Sequence, residues 1–289
     1  MFNRVAIVGL GLIGGSIGLA LHKAKAAQQV TGYDLGKGVS AHAQQVGAID
    51  QSCSTLVEAV YGAELVILAT PVGAMRVLLQ KLAPVLTLGA AVTDVASTKT
   101  QVVAWAEELL PSSVAFVGGH PMTGKELSGV DAADGNLFRD CIYCLTPTAL
   151  THPSAMHRVA SLIEILGARI RFLGPEEHDE QVAGVSHLPF LVSLALVDTV
   201  SSRPAWADAS LLAAGGFRDV SRLAAGNAEM YRDICLTNSE AIIHWLDEYI
   251  ATLSSMRERI AAQDKRLSET FAEAQQIRLR WQASYENTK

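Results

Sequence analysis

The chain is poor in charge. Only 18% of its 289 residues are Asp, Glu, Lys or Arg, while 49% are hydrophobic. About a quarter is usual for charge in soluble domains, so general disorder is excluded and a sizeable core is implied. Basic residues are scattered with no run of five, and the net charge is −6. The electrostatic footprint of a nucleic-acid binder is therefore missing. Cysteines are few. Cys141 and Cys144 form a C-x-x-C, but no second pair or nearby histidine completes a zinc set. They sit in the strand-like Cys-Ile-Tyr-Cys-Leu-Thr, so buried free thiols are expected. Uninterrupted apolar runs of membrane length are also lacking. Residues 5–21 are uncharged and follow Arg4, which imitates a signal peptide, and residues 182–200 are interrupted by His187, Pro189 and Asp198. A buried helix is expected there rather than a membrane span. No Pro/Gly/Ser-rich linker and no internal repeat is visible. The expectation is a soluble, cytoplasmic protein whose parts abut closely.

What is present begins at residues 5–18, Val-Ala-Ile-Val-Gly-Leu-Gly-Leu-Ile-Gly-Gly-Ser-Ile-Gly. Residues 5–8 read as a buried parallel strand. Gly9, Gly11 and Gly14 have G-x-G-x-x-G spacing, and the apolar residues after Gly11 read as a helix. Strand, tight turn and helix N-terminus together make an anion site. Gly9 permits the turn, Gly11 lets a pyrophosphate approach the backbone, and Gly14 lets the helix lie close to the strand. Gly9, Gly11, Leu12, Ile13 and Gly14 are the cofactor-binding candidates of this loop. A second strand near 29–33 ends in Asp34, where a carboxylate can accept from the ribose hydroxyls of NAD. No Arg follows it, and its charge would repel a 2′-phosphate. NAD is expected over NADP, with Lys37 as the nearby cation. A glycine-rich turn without a ligand is the alternative, and the flanking strands and helix argue against it.

Strands are expected near 5–8, 29–33, 64–69, 91–94, 114–117, 141–146 and 169–172, with helices between them. This alternation is that of an α/β, doubly wound parallel sheet. Ligands of such sheets sit outside the carboxyl ends of the strands, which puts Thr70 and Pro71 in the cofactor cleft. Ser97 follows the next strand on the same edge, as a site residue or as the N-cap of a helix from Thr98. Residues 118–140 are polar and glycine-rich and read as a long functional loop. His120, after a strand and before Pro121, is its candidate for proton transfer. After Gly174 the alternation stops. Pro175 opens a long apolar helix to about Val200, shorter helices follow near 205–214, 217–224 and 227–236, and a long one runs from about 238 to 270. On that helix Ile242, Leu246, Tyr249, Leu253, Met256 and Ile260 form a heptad-like seam. The chain thus divides into 1–173, α/β, and 174–289, all-α. Homodimerisation through the C-terminal helices is expected, and residues after about 272 should fray.

At His-Pro-Met-Thr-Gly-Lys-Glu (120–126) the chain resembles the prephenate/arogenate dehydrogenase family of tyrosine biosynthesis. Gly-Leu-Gly-Leu-Ile-Gly-Gly-Ser (9–16), Ala-Thr-Pro-Val (69–72), Asp-Val-Ala-Ser-Thr-Lys (94–99), Val-Ser-His-Leu-Pro-Phe (185–190) and Gly-Gly-Phe-Arg-Asp-Val-Ser-Arg (215–222) appear in the family's order. The resemblance implies a Rossmann-type domain followed by an all-α dimerisation domain. It implies NAD-dependent oxidative decarboxylation of a cyclohexadienyl acid, prephenate or arogenate. A hydride leaves C4, the C4 hydroxyl loses its proton, and the ring carboxylate departs as CO2. It also implies His120 as the catalytic histidine and Ser97 as its companion on the hydroxyl. Arg222 would hold a substrate carboxylate, a task suited to a planar guanidinium, and Glu126 would lie near the mouth of the site. Thr123, His187 and Tyr231 fall at positions bearing on substrate side-chain recognition. Thr123 replaces a frequent alanine and Tyr231 a common Trp, and Phe190 stands where many members have a second histidine. His187 alternatively serves as a hydrogen-bonded helix histidine. Two other readings stand beside this one. A β-hydroxyacid-type dehydrogenase needs a catalytic lysine on the long helix from Pro175, which has none. In a non-catalytic NAD-binding protein, His120, Ser97 and Arg222 would be incidental.

Overall fold

The computed structural model describes residues 1–124 and 127–286. Its contacts divide into two compact units, Met1–Ser239 and the segment from Glu240 on. In the first unit the strands are β1 (Phe2–Val8), β2 (Ala27–Tyr33), β3 (Gln51–Ser52), β4 (Leu65–Leu68), β5 (Ala91–Asp94), β6 (Ala115–Pro121), β7 (Ile142–Thr146) and β8 (Arg169–Phe172). They form one sheet in the order β3-β2-β1-β4-β5-β6-β7-β8. The helices between them are α1 (Leu12–Lys23), α2 (Val39–Gln45), α3 (Leu56–Val60), α4 (Met75–Leu82), α5 (Thr100–Leu109) and α6 (Pro153–Leu166).

β4 is apolar at every position, and β1 is apolar from Val5 to Val8, because both faces are covered there. Alternate residues of β1 and β4 serve opposite cores. Val5, Ile7, Leu65 and Ile67 pack with Ile17 and Leu21 of α1 and Val159 and Leu162 of α6. Ala6, Val8, Val66 and Leu68 pack with Met75 and Leu79 of α4 and Val102 of α5. Each fully buried Val, Leu, Ile or Met side chain among them contributes about 1.5–3 kcal/mol.

The sheet departs from the expected all-parallel form at one edge. Strands β3 to β6 are parallel, β7 runs antiparallel to β6, and β8 runs parallel to β7. β6 also reaches further than its composition suggested. Gly118, Gly119, His120 and Pro121 pair with Thr146, Leu145, Cys144 and Tyr143, so His120 is a strand residue, not a loop residue. The two glycines make this possible. A Cβ on Gly119 would lie 2.7 Å from the Asp94 carbonyl oxygen, and one on Gly118 would strike Thr146 Oγ1. Residues 131–136 are tied down over α1 and α2. Asp134 N donates to Ser16 Oγ at 2.9 Å, Lys23 Nζ to Asn136 Oδ1 at 2.7 Å, and His42 Nε2 lies 2.6 Å from Asp131 Oδ1. All four cysteines are free; Cys144 is buried and Cys141 half-buried, and burial pushes the Cys141 thiol up to about 11.

Beyond β8 the unit is helical: α7 (Pro175–Val182), a π-helical turn (Ala183–His187), α8 (Leu188–Ser201), α9 (Trp206–Ala209), α10 (Gly215–Ser221) and α11 (Ala228–Thr237). Pro175–Ser201 is long and apolar enough to cross a membrane, by length and composition alone. It is not the buried helix expected, since within the single chain only Phe190 and Ser193 of α8 are buried, and Val185 and Leu194 are exposed.

The second unit consists of α12 (Ser239–Ala261, whose first residue closes the first unit) and α13 (Leu267–Glu286). The single helix expected to about 270 breaks where Gln263 takes φ +51° and Asp264 accepts from Arg259 and Arg266. The expected fraying after about 272 is not seen, because α13 continues to Glu286. The expected seam is partly covered. Ile242 is buried and Leu246, Tyr249 and Met256 half-buried, whereas Ile243, Ile250, Leu253 and Ile260 form the exposed row.

Candidate active site

The parallel strands end on one edge, and their carboxyl ends carry the candidate residues in spatial order. Asp34 follows β2, Gly9 follows β1, Thr70 follows β4, Ser97 follows β5, and His120 is the penultimate residue of β6. Gly9 has φ +95°, and a Cβ there would lie 2.5 Å from the Ala69 carbonyl oxygen. A Cβ on Gly14 would strike Gly9 O, whereas one on Gly11 meets nothing within 4 Å. The first and third glycines are thus required by the protein itself, and the second leaves open space at the N-terminus of α1. Gly11 caps α1 without a side-chain hydrogen bond, and the first turn, with Leu12 and Ile13, has no acidic residue. These features suit the pyrophosphate of a dinucleotide. Asp34 Oδ2 accepts from Leu10 N at 2.7 Å and Oδ1 from Gly36 N at 2.7 Å, which fixes the carboxylate against the glycine turn. Thr70 is half-buried, and exposed Pro71 precedes a 3-10 turn (Val72–Ala74).

Around His120 the polar groups are buried and connected. Asp94, at the end of β5, accepts from Ala96 N at 2.9 Å and Gly119 N at 3.0 Å and pairs with Lys99. Lys99 Nζ also donates to Gly119 O at 2.8 Å. Both side chains are fully buried, so each charge requires the other. Burial pulls the Lys99 ammonium down and Asp94 pushes it back. His120 Nδ1 lies 2.9 Å from His178 Nε2, and His178 Nδ1 lies 2.8 Å from Asp179 Oδ1. Asp179 also accepts from Lys99 N at 2.7 Å and Thr100 N at 2.8 Å, capping α5. Burial raises the Asp179 carboxyl, but the hydrogen bonds from His178 and the two backbone amides outweigh it and the net shift is downward. His120 is held well below its ordinary value, first by burial and then by His178, Lys99 and His187. A neutral imidazole at this edge is a proton acceptor.

The family model of the prephenate dehydrogenase nucleotide-binding domain matches residues 17–172, and that of the prephenate dehydrogenase dimerization domain matches residues 174–273. The chain belongs to the prephenate dehydrogenase family. A prephenate dehydrogenase of Bacillus subtilis is 38% identical over 266 residues, covering 91% of this chain and 72% of the relative. A cyclohexadienyl dehydrogenase of Zymomonas mobilis is 35% identical and covers 96% of each. Among solved structures, A. aeolicus prephenate dehydrogenase in complex with hydroxyphenyl propionate and NAD+ superposes with a TM-score of 0.91 at 32% identity, over 97% of this chain and 98% of that one.

Other residues expected at the site of this prephenate dehydrogenase family member are placed as follows. Ser97 is half-buried beyond β5 and does not cap the next helix, which begins at Thr100 behind Lys99; Asp179 takes that role. Thr123 Oγ1 donates to Leu137 O at 3.2 Å, so its hydroxyl is engaged within its own loop. Tyr231 donates its hydroxyl to Leu223 O at 3.0 Å and stacks on Phe190 with centroids 4.1 Å apart. His187 is buried, with Nδ1 3.3 Å from Asn238 Nδ2. Its Nε2 is buried without a partner among the described residues, so it is not the fully satisfied helix histidine of the alternative reading. Burial pulls it down to about 4. Arg222 opens a 3-10 turn just after α10, so it does not continue one α-helix from Arg218. Glu126 lies outside the described residues. Asp94, Lys99, His178, Asp179 and Asn238 were missed as site residues. Asp94 and Lys99 are the two ends of the Asp-Val-Ala-Ser-Thr-Lys motif (94–99). Asn238 donates to Asp179 O at 2.8 Å across 59 residues of sequence, a link no local spacing reveals.

Proposed function

We infer that this chain is an NAD-dependent oxidoreductase that oxidatively decarboxylates a cyclohexadienyl acid, arogenate and/or prephenate, in tyrosine biosynthesis. Family membership and the named relatives support the reaction. The observation that carries it is His120, a buried neutral imidazole at the end of β6, in line with the strand ends that bear the nucleotide loop. NAD, when bound, supplies the hydride acceptor. Gly9, Gly11, Leu12, Ile13 and Gly14 present backbone to its pyrophosphate, Asp34 accepts from its ribose, and Thr70 and Pro71 line its cleft. His120 takes the proton of the C4 hydroxyl, a role typically worth about 10²–10⁴ in rate. Ser97 shares that hydroxyl and orients it. Arg222 holds a substrate carboxylate in a bidentate grip. Glu126, Thr123, His187 and Tyr231 are assigned to the substrate side. Aromatisation of the ring drives the loss of CO2.

The match of residues 174–273 to a dimerization domain and the exposed row on α12 support a homodimer through the C-terminal helices. Four free cysteines fit a reducing, cytoplasmic setting. The test is to supply NAD with prephenate or arogenate in turn and follow NADH. NADH formation with at least one acid, accompanied by CO2, is expected. No NADH with either acid overturns the reading.

A further inference from the structure

The His120 side chain is the outer end of a buried chain of three groups, and the direction of its hydrogen bonds follows from the inner end. A carboxylate oxygen only accepts, so the proton between Asp179 Oδ1 and His178 Nδ1, 2.8 Å apart, sits on His178. A neutral imidazole has one N–H, so His178 Nε2 is then an acceptor. The proton in the 2.9 Å contact with His120 Nδ1 therefore sits on His120. That leaves the lone pair of His120 on Nε2, which makes no hydrogen bond among the described residues. His178 and Asp179 have no freedom to reverse this. His178 is fully buried, and Asp179 is held by Lys99 N, Thr100 N and, through its carbonyl, Asn238.

We infer that His178 and Asp179 are positioning residues: Asp179 fixes the tautomer of His178, and His178 fixes the tautomer of His120 so that Nε2 accepts the substrate proton. The inference rests on His120 being the proton acceptor. The charged and titratable groups around the ring are His178 and Asp179 from α7, His187 from the π-helical turn, and Lys99 and Asp94 from the end of β5 and its following turn. The chain has a physical counterpart in buried carboxylate–imidazole pairs, where the carboxylate holds the imidazole in its working tautomer. It also ties the base to the fold. The same carboxylate that orients His178 caps α5, so the turn carrying Ser97 and the strand carrying His120 are fixed relative to one another by one side chain of α7.

The test uses the full chain with 15N-labelled histidine. NMR of the wild-type imidazole nitrogens at neutral pH should show His120 protonated at Nδ1 and bare at Nε2. His178→Phe removes the acceptor and should lower kcat about 10- to 100-fold, the scale of outer-shell partners of ligating histidines. KM for NAD should stay unchanged, and the acid limb of kcat/KM should move to higher pH, because His178 is one of the groups that hold the His120 imidazole low. His178→Gln, which can place a carbonyl oxygen near the lost Nε2, should recover most of the rate. A wild-type His120 protonated on Nε2, or a His178→Phe enzyme with wild-type kcat and pH profile, overturns the inference. Should His178→Phe fail to fold, the wild-type tautomer and the Gln variant still decide it. His120→Asn separates the two claims. Full activity in that variant would remove His120 itself from the reaction, whereas its inactivity beside a normal His178→Phe enzyme would strike down the positioning role alone.

Discussion

At the end of β2, both oxygens of Asp34 are bound to backbone amides, Leu10 N and Gly36 N, yet each carboxylate oxygen retains a lone pair for a ribose hydroxyl. Its fixed charge repels a 2′-phosphate. Asp34→Ser should therefore narrow the preference for NAD over NADP, read as the ratio of kcat/KM values; a wild-type enzyme that uses NADP as well as NAD contradicts this. Arg222 and Arg218 make a paired test. Arg218 is exposed beside Asp219, 2.9 Å away, and serves as control. Loss of a bidentate contact that leaves a desolvated partner charge costs about 2–5 kcal/mol, so Arg222→Ala should raise KM for the dienyl acid by tens of fold. A large effect at Arg218 with little at Arg222 would show the wrong arginine was chosen. Residues whose placement follows from local spacing were legible in the sequence: Gly9 and Gly14 in the tight turn and Asp34 at the end of β2. Lys99, His178, Asp179 and Asn238 were not, because their meaning arises from partners up to 80 positions away.

The same distinction holds for elements. Strands buried on both faces were readable as apolar runs. β6 was not readable past Val117, because Gly118 and Gly119 look like a loop and become strand only between β5 and β7. The break between α12 and α13 was equally hidden, since the apolar period continues across it. The π-helical turn Ala183–His187 has an energetic consequence. His187 titrates at about 4 in the fold against 6.5 unfolded. Between those values the unfolded chain binds more protons, so stability rises with pH in that window and is lost as pH falls through it. From a shift of that size the loss reaches about 3 kcal/mol at pH 4, and the lowered His120 adds to it with the same sign. Urea midpoints should fall across this range. His187→Asn, whose side-chain oxygen can still accept from Asn238, should flatten the fall; an unchanged slope contradicts the assignment.

For the whole molecule, Ile243, Ile250, Leu253 and Ile260, at seven- and three-residue steps on α12, form an exposed heptad-spaced row. Leu253 is 47% exposed, so Leu253→Glu costs the single chain little but places a charge in the seam. Sedimentation should show a wild-type dimer and a Leu253→Glu monomer; a wild-type monomer at micromolar concentration contradicts the assembly. The most direct measurement of the central claim, that His120 accepts the substrate proton in an oxidative decarboxylation, is the turnover of His120→Asn with NAD and the dienyl acid, taken beside its NAD affinity. The expected result is a kcat lowered by about 10²–10⁴ with NAD affinity intact, and a wild-type kcat/KM that falls on the acid side as the imidazole protonates. An unchanged kcat in His120→Asn would contradict it.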